Sequence, residues 1–177
     1  MRLSSGEKKF FAIFSIVAVL FVVVVASSVA VLASGHEADD TPYVQVASGD
    51  KLVRVEPLKY CSIDLQNCNQ EALDPPARVP VKVGDTVMLS LSAELAVGPW
   101  TLVVQYLTAE GSDIGDEVFY PSDSARTITL DSTRDRILAA IEIKQPSQVE
   151  DEFGFVPRGI WGIDTLPDGV EVPAPSQ

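Results

Sequence analysis

From residue 10 to residue 33 the chain reads FFAIFSIVAVLFVVVVASSVAVLA, without one Asp, Glu, Lys or Arg. A run that is apolar at every position, rather than at every third or fourth, predicts a helix with no polar face. Its 24 residues, at about 1.5 Å each, reach about 36 Å, enough for a tilted crossing of a hydrocarbon layer about 30 Å thick. Beyond it the pattern changes. Residues 34–42 (SGHEADDTP) are polar and without period, as in a linker. From residue 43 onward short runs alternate apolar and polar positions between turn signals, which is the period of strands.

Residues 43–47 and 51–56 flank Ser48-Gly49-Asp50, a hairpin signature. Residues 58–63 predict a third strand and 79–83 a fourth, with a loop over 71–77 around Pro75-Pro76. In 86–92, Val87, Leu89 and Leu91 fall on one face and Met88, Ser90 and Ser92 on the other. Trp100, Leu102, Val104 and Tyr106 share a face of 100–107, a large surface for a two-layer core. Residues 110–116 (EGSDIGD) predict a loop and 118–120 a short strand. Ile128 and Leu130 alternate in 126–130, and Ile137, Ala139, Ile141 and Ile143 are placed on one side of 137–143. Residues 159–165 hold Trp161 and Ile163, both expected in the core.

Roughly seven to nine strands at about ten-residue spacing, with no sustained helical period, predict an all-β fold. The expectation is an immunoglobulin-like antiparallel β-sandwich ectodomain behind one N-terminal transmembrane helix. The expected organisation is a cytoplasmic tail over 1–9, the span over 10–33, a linker over 34–42, the sandwich over 43–165 and a flexible tail over 166–177. The Cys, Trp and Cys of a true immunoglobulin domain are missing, since both cysteines lie in one early segment.

Flanking charge orients the span. Arg2, Lys8 and Lys9 precede it against one Glu7, whereas Glu37, Asp39 and Asp40 follow. The positive side stays in the cytoplasm, which places the domain outside the cell membrane as a single-pass protein. A cleaved signal is the alternative, with small residues in Ser28-Val29-Ala30 and Val31-Leu32-Ala33; the apolar run is longer than the usual signal core of about 7–15 residues, which favours an uncleaved anchor. Ala26, Ala30 and Ser34 recur every fourth residue and form a candidate helix-packing face for a membrane-protein partner.

Composition narrows the partners. The chain has 13 basic and 25 acidic residues; setting aside Arg2, Lys8 and Lys9, and Glu7, Glu37, Asp39 and Asp40, leaves 10 against 21 in the outer part. Such a domain repels nucleic acid, so no nucleic-acid partner is expected. Cys61 and Cys68 are the only cysteines, and an even pair outside the cytoplasm predicts a structural disulfide. A redox-active pair usually has two intervening residues rather than six, and a zinc site lacks its remaining ligands, since the one histidine, His36, sits in the linker.

The segment Lys59-Tyr60-Cys61-Ser62-Ile63-Asp64-Leu65-Gln66-Asn67-Cys68, the tripeptide Gly98-Pro99-Trp100 and the segment Val156-Pro157-Arg158-Gly159-Ile160-Trp161 follow the apolar anchor. Together they resemble an actinobacterial family of single-span envelope proteins catalogued as a domain of unknown function. The resemblance spans nearly the whole chain. It implies a Gram-positive, high-GC envelope setting and brings no catalytic residues with it.

Chemistry is hard to find. One linker histidine and two paired cysteines leave Ser-His-Asp and Cys-His schemes without a base or a nucleophile. No phosphate-binding glycine loop and no His-Glu-x-x-His occurs. Glu150-Asp151-Glu152, on an expected polar loop before Phe153, and Glu110, Asp113, Asp116 and Glu117, on another, are carboxylate-rich segments without EF-hand spacing. No catalytic residue, metal site or cofactor is expected. Phe153 and Phe155, beside Gly154 and before Pro157, form a candidate binding edge for a protein or an envelope lipid. The sequence therefore points to a non-enzymatic, membrane-anchored envelope protein acting as a protein-interaction or accessory subunit of a larger membrane complex, respiratory or envelope-lipid in kind. An extracytoplasmic lipid- or glycan-binding module is the alternative.

Overall fold

The computed structural model describes residues 5–34, 41–69, 75–108, 113–152 and 154–170, in two compact units, Met1–Asp40 and Thr41–Gln177. The first holds one helix, α1 (Ser5–Ser34). Side chains are described for its residues 14–28, which are exposed all round. Two hydroxyls in it are satisfied internally: Ser27 and Ser28 both donate to the Val24 carbonyl, at 2.9 and 2.8 Å. Among the described residues no helix is long and apolar enough to cross a membrane.

The second unit is built from strands in two mostly antiparallel sheets packed on one core. The smaller sheet has the order β2 (Lys51–Val55), β1 (Val44–Ser48), β6 (Thr86–Leu91), β9 (Thr127–Asp131). The larger has the order β4 (Cys68–Asn69), β3 (Lys59–Cys61), β11 (Gly154–Asp164), β10 (Ile137–Asp151), β7 (Trp100–Leu107), β8 (Asp113–Tyr120). The two-residue β5 (Ala77–Arg78) runs parallel beside β11. The chain changes sheets between β2 and β3, β5 and β6, β6 and β7, β8 and β9, and β9 and β10.

Local chemistry explains the connections. The β1–β2 hairpin turns through Gly49 at φ 59°, with Ser48 opposite Lys51; a side chain there would resist the left-handed backbone. Between β6 and β7 a single turn, α2 (Ala93–Ala96), buries Leu95 and Ala96. The core is filled by the inward rows of both sheets. Val44, Val46, Val87 and Leu89 face Trp100, Leu102, Val104, Ile141, Ile143, Trp161 and Ile163, all of them buried. Trp161 Nε1 donates to the Pro42 carbonyl at 3.0 Å, while Trp100 stacks on Tyr120 with centroids 4.2 Å apart.

Several expectations change. Residues 79–83 form no regular strand; Val79 and Val81 are buried, and their N–H groups donate to Asp164 and Thr165 carbonyls at 2.8 and 3.0 Å, but Pro80 between them has no N–H for a ladder. The loop expected over 110–116 is already strand from Asp113, and Glu150 and Asp151 belong to β10 rather than to a loop. A register shift between Leu138 and Ala140 turns Leu138 into the core in place of Ala139, correcting the row proposed for 137–143.

Candidate functional site

The larger sheet turns one face to the core and the other outward. Strand alternation dictates which side chains meet outside: Thr101 and Val103 from β7, Glu117 and Phe119 from β8, and Glu142 and Lys144 from β10. The register aligns them across the sheet, with Phe119 opposite Thr101 and Thr101 opposite Lys144. Register shifts on either side of Pro146 break the β10–β11 ladder. Pro146 lies opposite Pro157, and Glu150 opposite Phe155.

The result is a groove of about 400 Å³, lined by Pro99, Thr101, Phe119, Lys144, Phe155 and Pro157 among others. Phe119 and Phe155 are 62 % and 60 % exposed, a large apolar area left in water on two sides of one groove. Lys144 is spanned by an ion pair to Glu142 at 3.1 Å. Glu142 in turn lines a second depression of about 200 Å³ floored by Gly162. A methyl group at Gly162 would meet Leu58 at 2.8 Å and Pro76 at 3.4 Å. The outer face is thus one surface with two hollows and a charged pair between them.

Of the binding edge read from sequence, Phe155 lines this groove; Phe153 lies outside the described residues. Phe119 was not singled out in the sequence. Its signal was available in the alternation Glu117, Phe119 against Val118, Tyr120, once β8 is extended back to Asp113. In the helix, Ala26 is exposed, whereas the side chains of Ala30 and Ser34 lie outside the described residues.

Cys61 and Cys68 face each other across β3 and β4 and are joined in a disulfide, with Cα atoms 3.9 Å apart. The turn it closes is self-contained. Ser62 N–H donates to the Asn67 carbonyl at 2.8 Å, and the Asp64 carboxylate accepts from Ser62 Oγ and from Gln66 N–H. These bonds, the serine hydroxyl foremost, hold the Asp64 carboxyl below its usual pKa.

The carboxylates do not gather. Asp116 and Glu117 alternate in β8 and so point to opposite faces; Asp116 pairs with Arg136, whose guanidinium lies 4.1 Å from the Tyr106 ring centroid. Among the described residues no three His, Cys, Asp or Glu side chains converge. What the outer face offers is apolar contact framed by single charges. A family model described as "Protein of unknown function (DUF2771)" matches residues 37–166, and the chain belongs to that family. No curated protein and no solved structure matches it.

Proposed function

For this member of a family without assigned activity, we propose a non-enzymatic, membrane-anchored cell-envelope protein that binds another protein through the outer face of its larger sheet. It serves as an accessory subunit of a larger membrane complex, of the respiratory or envelope-lipid kind. The observation that carries this reading is the pair Phe119 and Phe155, each about three-fifths exposed on either side of one groove. The anchor is supported by the uncharged stretch over 10–33 and by the internally bonded hydroxyls of Ser27 and Ser28. The charges of Arg2, Lys8 and Lys9 support an N-terminus in the cytoplasm. The immunoglobulin-like reading of the sandwich rests on the order β1-β6-β9 in one sheet and β8-β7-β10-β11 in the other, with β5 parallel to β11. An actinobacterial setting rests on the resemblance alone.

A second reading is favoured by the groove's volume and its two phenylalanines: an envelope lipid or glycan held on the outer face. Extraction of the tagged full-length protein from its native membrane in mild detergent separates the two. A stoichiometric protein complex that is lost in a Phe119→Asp, Phe155→Asp double variant is the expected result. A lone protein carrying extractable lipid or glycan would replace the first reading by the second.

A further inference from the structure

The larger sheet ends at β8. Among the described residues β8 pairs on one side only, with β7, over all of its residues from Asp113 to Tyr120. Along its other side alternate N–H and C=O groups point outward, which is the template for another strand. Its outer face is open as well, and its core-side face is covered only in part, Tyr120 stacking on Trp100 while Val118 stays exposed. Outward stand Glu117 and Phe119, the wall of the groove. On the opposite face Val118 sits across from Leu102; Leu102 is 2 % exposed and Val118 44 %, so the narrower sheet covers the one and leaves the other bare. A strand of eight residues, open along its edge and outer face and bare at Val118, is unusual on an isolated soluble domain, because such edges invite pairing.

Charge selects the occupant. Asp116 is engaged by Arg136, but Glu117 has no ion pair among the described residues. A second copy adding antiparallel through its own β8 would bring Asp116 and Glu117 against like charges and join two chains of net charge −12. An added strand instead needs a basic residue over Glu117. Because alternate side chains of a strand share a face, the next residue on that side falls over Phe119, where a cation is also favourable. The residues between them face Val118 and must be apolar.

We infer that β8 accepts, by strand addition, an extended segment of a partner protein in which basic and apolar residues alternate, the basic ones over Glu117 and Phe119 and the apolar ones against Val118. The inference rests on the protein-binding reading above and names the chemistry of its partner. It is tested on the full-length chain in detergent with two synthetic peptides of about ten residues, the span of a strand addition. One alternates lysine and valine, and the other alternates glutamate and valine. Amide exchange should slow across 113–120 with the lysine peptide and not with the glutamate peptide. Glu117→Lys should weaken lysine-peptide binding about tenfold, whereas Asp50→Lys, the same charge change at the β1–β2 turn, should leave it unchanged.

Equal binding of the two peptides, binding of neither, or protection outside β8 would overturn the inference. So would an equal loss in Asp50→Lys, which would reduce the effect to net charge. A peptide-free dimer by sedimentation with β8 protected would put a second copy in that place. A membrane partner that co-purifies undiminished with Glu117→Lys would sink strand addition and leave the accessory reading intact. Peptide binding at β8 with no co-purifying protein would do the reverse.

Discussion

Two tryptophans fill the core at the same depth, both fully buried, and differ in what one atom meets. Trp161 Nε1 has the Pro42 carbonyl; Trp100 Nε1 has no acceptor among the described residues. Replacing either by Phe removes the same atoms, but only Trp161→Phe strands a carbonyl. Trp161→Phe should therefore cost about 1–3 kcal/mol more than Trp100→Phe in denaturant unfolding. Equal losses would show that the Pro42 bond contributes nothing. Tyr106 offers a titration. Burial pushes its phenol above the ordinary 10.0, with Arg136 opposing that rise. The unfolded chain then releases this proton at lower pH than the folded one. Tyr106 thus leaves stability untouched below about pH 10 and erodes it as pH rises from there through the folded value. A Tyr106→Phe variant should lose that component of the alkaline decline, measured as midpoint against pH.

At the scale of elements, the disulfide ties β3 to β4 at one border of the larger sheet, away from the core centre. The loop it closes has eight residues counted from Cys61 to Cys68, for which chain entropy gives about 2.5 kcal/mol. Cys61→Ser should cost no more than about that. Its effect should be confined to faster amide exchange in 59–69, and a thiol reagent should label neither cysteine of the unreduced protein. Gly159 constrains the neighbouring strand more severely. A methyl group there would come within 2.7 Å of the Trp161 ring and 3.0 Å of Tyr60, so Gly159→Ala should destabilise by about 1–3 kcal/mol through displaced aromatic rings, read as a lowered unfolding midpoint. The strands with unbroken alternation, 86–91 and 100–107, were legible in the sequence because each faces the core with every second residue. Those interrupted by a bulge were not. In β10 the shifts at Leu138 and Pro146 reset the period, so its end at Glu150 and Asp151 reads as loop, and the hairpin that lifts Phe155 into the groove stays hidden. Phe119 escaped notice for a related reason: an outer-face aromatic carries the same letter as a core one, and only the register tells them apart.

For the whole molecule, the acidic balance and the uncharged stretch over 10–33 are properties of composition, legible without any fold. The outer groove is not of that kind, since its walls come from β7, β8, β10 and β11 and meet only through long-range pairing. The strand that completes the larger sheet is also the last among the described residues: β11 lies between β3 and β10 and takes β5 alongside. Until Gly154–Asp164 has been made and released, Lys59–Cys61 has no neighbour on its inner side, and β10 keeps an open edge of fifteen residues. Biosynthesis therefore delivers this domain with its middle missing. Folding waits for the closing segment and then requires pairing across about a hundred residues of chain, which is slow and exposes apolar edges in the interval. Under the envelope location proposed above, that delay would serve export, since the order of strands keeps the chain from setting while it is threaded through a channel still extended.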